Sequence, residues 1–197
     1  MKKAELRTLY LERQRSLQPG QFAEWSRKIS DNFFKSVDLQ GISLLHCFIP
    51  IEKFGEIDTL QIFRRVWEKY PTIRAAAPRV NFESGEIESV SFTAESRLTK
   101  NKWGINEPDA MDAPDVDEKI SDADIDLVLV PLLCFDETGH RVGYGRGFYD
   151  RFLARCRNDC KKVGLSFFGP IKTIEDVVQN DIALDLFITP DGPFQPR

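Results

Sequence analysis

Long hydrophobic runs are missing from this chain: nowhere in its 197 residues is there a stretch approaching the roughly 18 apolar residues that would cross a bilayer. Histidine is scarce, with only His46 and His140, and the four cysteines, Cys47, Cys134, Cys156 and Cys160, contain no Cys-x-x-Cys pair. Cys156 and Cys160 would lie one turn apart on a helix, but a zinc site needs two more ligands close by. Reduced structural thiols are therefore expected. Basic residues are not in excess either: 27 Lys and Arg stand against 31 Asp and Glu, for a net charge of −4. That balance argues against a protein that coats nucleic acid by counterion release and confines any phosphate site to a local basic patch. The opening Met1-Lys2-Lys3-Ala4-Glu5-Leu6-Arg7 has no apolar core or small-residue cleavage site, unlike a secretory signal. The expectation is a soluble, cytoplasmic protein with neither membrane nor nucleic-acid partner.

What is present is the patterning of one compact domain over residues 1–197, with no internal repeat and no linker. Residues 3–17 place Leu6, Leu9, Tyr10 and Leu17 near helical spacing, and Pro19 suits the first turn of a second helix over 19–36 whose inner face is Phe22, Trp25, Ile29 and Phe33. Short apolar runs at 42–49, 73–77, 127–130, 163–168 and 186–189 have strand length, the second stopped by Pro78, and 88–93 alternates as a half-exposed strand does. A helix is expected at 60–70, through Leu60, Phe63, Val66 and Trp67, and a loop at 100–116, where Pro108 and Pro114 stand among acidic residues. Strands alternating with helices predict an α/β fold: a single three-layer α/β/α domain with a mostly parallel, Rossmann-like central sheet, and ligands at the carboxyl ends of the strands.

Chemistry concentrates in residues 135–150. Gly143, Gly145 and Gly147 alternate there, which lets the backbone approach a ligand and turn successive amides toward an anion. The helix expected next carries Phe148, Phe152, Leu153 and Cys156 inward, and its N-terminal dipole would add positive potential. Arg141 and Arg146 flank and interrupt the glycines with guanidinium forks suited to phosphate. Asp150 lies just beyond, where a carboxylate beside phosphate suggests an intervening Mg²⁺. From spacing alone, a tight hairpin with Asp150 as a helix cap explains the run equally well. Lys3 and Arg7, four apart, share a helix face that could reach one phosphate group or simply be solvated. No serine or cysteine stands in a nucleophile triad pattern.

The run Arg141-Val142-Gly143-Tyr144-Gly145-Arg146-Gly147-Phe148-Tyr149-Asp150 resembles the signature of the 5-formyltetrahydrofolate cyclo-ligase family. Four further elements resemble that family in the same order: Lys3 to Arg7, Gly55-Glu56-Ile57-Asp58-Thr59, Trp103-Gly104-Ile105-Asn106-Glu107-Pro108, and Asp181 to Asp185. There are departures. Family members often have Pro-Gly-x-Ala-Phe-Asp where this chain has Pro131-Leu132-Leu133-Cys134-Phe135-Asp136, which would alter packing under the loop, and Gly-Gly-Gly-Tyr-Tyr where it has Gly145 to Tyr149.

The resemblance implies an enzyme that uses ATP and Mg²⁺ to convert 5-formyltetrahydrofolate to 5,10-methenyltetrahydrofolate, acting as a monomer. It implies ATP contacts from Lys3, Arg7, Arg141, Gly143, Tyr144, Gly145, Arg146, Gly147, Phe148 and Tyr149, and folate contacts from Ile49, Glu56, Trp103, Tyr144, Arg146 and Phe148. Arg141, Arg146 and Tyr149 would be catalytic, and Asp150 and Asp181 would hold the metal. The competing readings are another α/β phosphate-handling enzyme, such as a sugar-phosphate isomerase or acyl-CoA transferase, or a catalytically silent nucleotide- or folate-binding module. Each lacks the ATP-dependent formation of a methenyl folate.

Overall fold

The computed structural model describes residues 1–81, 83–109 and 119–197. Its helices are α1 (Lys3–Arg15), α2 (Pro19–Ser36), α3 (Leu60–Lys69) and the short α4 (Phe148–Leu153). The strands are β1 (Leu44–Cys47), β2 (Arg74–Asn81), β3 (Glu86–Ser91), β4 (Leu98–Lys100), β5 (Asn106–Pro108), β6 (Lys119–Ile120), β7 (Leu127–Pro131), β8 (Cys134–Phe135), β9 (Arg141–Val142), β10 (Lys161–Leu165), β11 (Leu186–Thr189) and β12 (Gly192–Phe194). Among the described residues, eight strands form one sheet in the order β12-β11-β10-β7-β1-β2-β3-β6. Its middle, β11 through β2, is wholly parallel, and β12, β3 and β6 add antiparallel margins.

The parallel strands occur in space in the order 2-1-3-4-5 of their succession in the chain, a doubly wound arrangement. The first crossover, β1 to β2, carries α3, and the crossover from β7 to β10 carries α4 on the opposite face. Alternation along β7 makes the two faces: Leu127 and Leu129 join the core under α1, α2 and α3, while Val128 and Val130 join the core under α4. The chain reverses its direction of winding between β1 and β7, so their carboxyl ends diverge and leave a crevice.

Several local expectations are corrected. α1 buries Leu6, Tyr10 and Gln14, whereas Leu9 is 40% exposed. β2 continues through Pro78: its pairing to β1 has ended by Ala76, so the missing N–H removes no bond on that side. α4 has only six residues, and Cys156 lies beyond it, still buried. Its dipole is correspondingly small. In 100–116, β4 and β5 pair as an antiparallel hairpin with Trp103 in its turn, and residues 110–116 lie outside the described residues. All four cysteines are buried and free, as expected.

Leu132, one of the departures from the family pattern, packs over Gly164 in β10. A Cβ there would stand 2.5 Å from Phe187 and 2.7 Å from Leu132, both buried. Gly164→Ala is therefore expected to cost about 1–3 kcal/mol through overpacking, measured as a lowered urea midpoint with unchanged slope; an unshifted midpoint would show that this layer yields freely.

Candidate active site

The crevice between the ends of β1 and β7 opens into a cavity of about 420 Å³. Lys3 and Arg7 on α1, Phe48 and Ile49 after β1, and Glu56 past a 3-10 turn at Glu52–Phe54 form one side. Pro78 and Val80 of β2, Trp103 and Glu107 of the β4–β5 hairpin, and Pro131 of β7 form another. The segment from Arg141 to Asp150, with Asp181, completes the wall.

One end is ionic. Arg141 leaves β9 almost fully buried; its Nη2 donates to Asp150 Oδ1 at 2.8 Å and its Nη1 to the Ile182 carbonyl at 2.7 Å. Burial lowers the Arg141 pKa, and Asp150 and Asp181 oppose that shift. Asp150 Oδ1 also accepts from the Ile182 amide at 3.2 Å. Lys3 pairs with Asp181 Oδ2, which accepts the Val178 amide as well, at 2.6 Å. Arg7 is held by a carbonyl, its Nε donating to Gly143 O at 3.0 Å. Gly145 has φ +93°, and a Cβ on it would come within 3.0 Å of the Arg7 guanidinium. Glycine is needed there both for the turn and for the approach of α1. Gly147, with φ +65°, starts α4, whereas Gly143 has ordinary backbone angles and open space beside it.

The other end is aromatic and mostly uncharged. The Phe54 and Tyr144 rings stack with centroids 4.9 Å apart. Glu56 is 5% exposed and accepts from the Ile51 amide at 2.8 Å, with the Tyr144 phenol as a neighbour. Burial outweighs both contacts and pushes the carboxyl up to about 7. Trp103 is 38% exposed at the rim, with Lys53 Nζ on its carbonyl at 3.3 Å and Lys102 Nζ 4.3 Å from its ring centroid. It is not a core residue. The Tyr149 hydroxyl is buried with no hydrogen-bond partner among the described residues, and burial raises its pKa well above the ordinary phenol value.

The profile of the 5-formyltetrahydrofolate cyclo-ligase family matches residues 1–187. The chain belongs to that family. It is 26% identical to the mouse 5-formyltetrahydrofolate cyclo-ligase, over 97% of this chain and 95% of the relative, and 26% identical to that of Escherichia coli K12, over 91% and 95%. The mitochondrial 5-formyltetrahydrofolate cyclo-ligase of Arabidopsis thaliana is 30% identical across 78% of this chain, which spans 62% of that longer relative. Among solved structures, the NMR structure of Aquifex aeolicus 5,10-methenyltetrahydrofolate synthetase superposes with a TM-score of 0.81 at 26% identity, covering all of this chain and 94% of that one.

In this cyclo-ligase family member, every site residue named from the sequence lines the one cavity: Lys3, Arg7, Ile49, Glu56, Trp103, Arg141, Gly143 through Asp150, and Asp181. The two proposed metal carboxylates are already engaged by Arg141 and Lys3, and no group of three or more His, Cys, Asp or Glu side chains able to hold a metal occurs among the described residues. Their contacts use Asp150 Oδ1 and Asp181 Oδ2. Lys53, Phe54 and Glu107 also line the cavity and were not named as site residues from the sequence, and Gln14 stands behind Phe54 and Tyr144. Glu107 Oε1 accepts the Val80 amide at 3.1 Å and pins the hairpin to β2. For Gln14 there was a signal, a polar residue four positions after Tyr10 and eight after Leu6 on the buried side of α1.

Glu56 gives a test with a definite sign. Its folded-state pKa lies above the unfolded value near 4.5, so stability from the protonated form is fully present below pH 4.5 and is lost as pH rises toward about 7. Glu56→Gln removes the charge and keeps one oxygen to accept the Ile51 amide. Urea unfolding at pH 5 and pH 8 should show the variant gaining roughly 1–3 kcal/mol on wild type between the two. Buried His46, whose pKa burial lowers to about 3, cancels in that difference. Parallel curves for the two proteins would mean that Glu56 is ionised throughout.

Proposed function

We propose that the cavity binds ATP and 5-formyltetrahydrofolate together and closes the formyl group into the methenyl bridge of 5,10-methenyltetrahydrofolate, releasing ADP and phosphate. The observation that carries this reading is the polarity of a single enclosed space, with Lys3, Arg7, Arg141 and Arg146 around a glycine loop at one end and an aromatic wall with a protonatable carboxyl at the other. The cations and the amides of Gly143, Gly145 and Gly147 suit a triphosphate, with Tyr144, Phe148 and Tyr149 beside it. Ile49, Glu56, Trp103 and the Tyr144 ring suit a flat pterin, Glu56 hydrogen-bonding to its ring nitrogens.

A formamide oxygen is a poor leaving group. In the proposed reaction it attacks the γ-phosphorus and displaces ADP; nitrogen 10 then attacks the activated carbon and loses its proton, and phosphate departs carrying the former formyl oxygen. Arg146 and Arg141 neutralise charge on the transferring group, and the unpartnered Tyr149 hydroxyl donates to a substrate oxygen. Asp150 and Asp181 would hold Mg²⁺ directly or through water, where it neutralises phosphate charge. Every wall comes from one chain, so a monomer suffices.

Arg141 and Arg146 should not respond alike to truncation. Removing Arg141 strands the Asp150 carboxylate and will cost stability as well as affinity. Arg146 is exposed, and Arg146→Ala is expected to weaken ATP binding by roughly 1.5–3 kcal/mol in calorimetry while leaving the unfolding midpoint in place. An unchanged affinity would remove it from the phosphate site. For the chemical order, formyl-folate carrying heavy oxygen should give labelled phosphate in a single turnover, with methenyl-folate absorbance appearing only when ATP is present. ATP alone should leave the protein mass unchanged. Unlabelled phosphate, or a phosphorylated protein, would overturn the direct transfer.

A further inference from the structure

We propose that Gln14 is a positioning residue: its side-chain amide holds the Tyr144 hydroxyl toward Glu56 and ties the aromatic end of the cavity to the helix that carries Lys3 and Arg7. The inference rests on the folate reading for its catalytic consequence, but its geometry stands independently.

Gln14 is 4% exposed on the face of α1 that also buries Leu6 and Tyr10. A carboxamide in that setting needs partners. Its Nε2 has two, the Phe54 carbonyl at 2.8 Å and the Tyr144 hydroxyl oxygen at 3.2 Å. An amide nitrogen only donates, so the Tyr144 oxygen accepts from Gln14 and its own hydrogen is directed elsewhere. We infer that it points to Glu56, the buried acid whose charge acts on this phenol. The Gln14–Tyr144 bond therefore has one sense, and it leaves the Tyr144 hydrogen to turn toward Glu56.

The same nitrogen fixes the aromatic wall. Phe54 and Tyr144 are stacked on each other, and Gln14 holds the backbone of one and the hydroxyl of the other. Gly55, at φ +64°, ends the turn beneath them and delivers Glu56, whose Oε2 the Ile51 amide holds. Lys3, Arg7 and Gln14 are separated by four and seven residues and share one side of α1. One rigid helix thus sets the ionic end and the Glu56 end of the cavity together.

The test uses Gln14→Met, which keeps the length and packing but removes the donor, with Gln14→Glu and Tyr144→Phe as companions that preserve side-chain shape. The ionisable groups facing Glu56 are the phenols of Tyr144 in the glycine loop and Tyr149 on α4. Carboxyl NMR should show the Glu56 midpoint moving upward by about half a unit or more in Gln14→Met and in Tyr144→Phe, with no further rise in the double variant. With turnover, Gln14→Met should raise KM for formyl-folate about five- to tenfold and leave KM for ATP within twofold. A Glu56 midpoint that stays put, additive shifts in the double variant, or equal rises in both KM values would overturn the proposal. Absence of ATP-dependent product from wild type would instead overturn the functional reading, and the NMR titration would still decide the role of Gln14. Should Gln14→Met fail to fold, Gln14→Glu and Tyr144→Phe report the same linkage from its two ends.

Discussion

The packing of α1 across the glycine loop is the contact on which the cavity depends. Arg7 reaches a carbonyl 136 positions away, Lys3 a carboxylate 178 away, and Gln14 a phenol 130 away. The Arg7 contact needs the loop to present its backbone without a side chain at Gly145, because a Cβ there would displace the guanidinium. The N-terminal ammonium adds an exposed pair to Glu175 at 2.5 Å, worth little by itself. Lys3 and Arg141, partly or wholly withdrawn from water, matter more. Loss of α1 would open the ionic end and the aromatic end at once.

The site also shows three answers to the cost of burying an ionisable group. Arg141 stays charged because Asp150 and a carbonyl compensate it within hydrogen-bond distance. His46 on β1 is driven neutral by burial, its Nδ1 on Ser89 at 2.9 Å and its Nε2 without a partner among the described residues. Glu56 lies between these cases, hydrogen-bonded by the Ile51 amide, with burial pushing its carboxyl up to about 7. A cavity built this way offers cations compensated by Asp150 and Asp181 at one end and a group able to donate or accept a proton at the other. Two substrates of opposite character fit that division.

Elements with a strong period were legible in the sequence. α2 begins at Pro19 and ends at Ser36 as its apolar spacing indicates, and β11 coincides with the run 186–189. Elements of two or three residues, such as β8, β9 and β12, were not, because so short a segment has no period and is defined only by its partner. Pro78 misled for a related reason: whether a proline ends a strand depends on which side lacks a neighbour, and only pairing settles that.

The sequence by itself determined the elements whose causes are local: amphipathic helices, buried strands, a glycine loop between two arginines, and the family to which the whole belongs. Tertiary structure alone decided which helix face meets the loop, that Asp150 and Asp181 are each matched to a cation, that Trp103 sits at a rim, and that Gln14 bonds Phe54 and Tyr144. The physical reason is range. Backbone preference and hydrophobic period act over a few residues, whereas the charge, burial and hydrogen bonding of Glu56, Arg141 and Gln14 come from chain segments brought together only when β1 and β7 lie side by side.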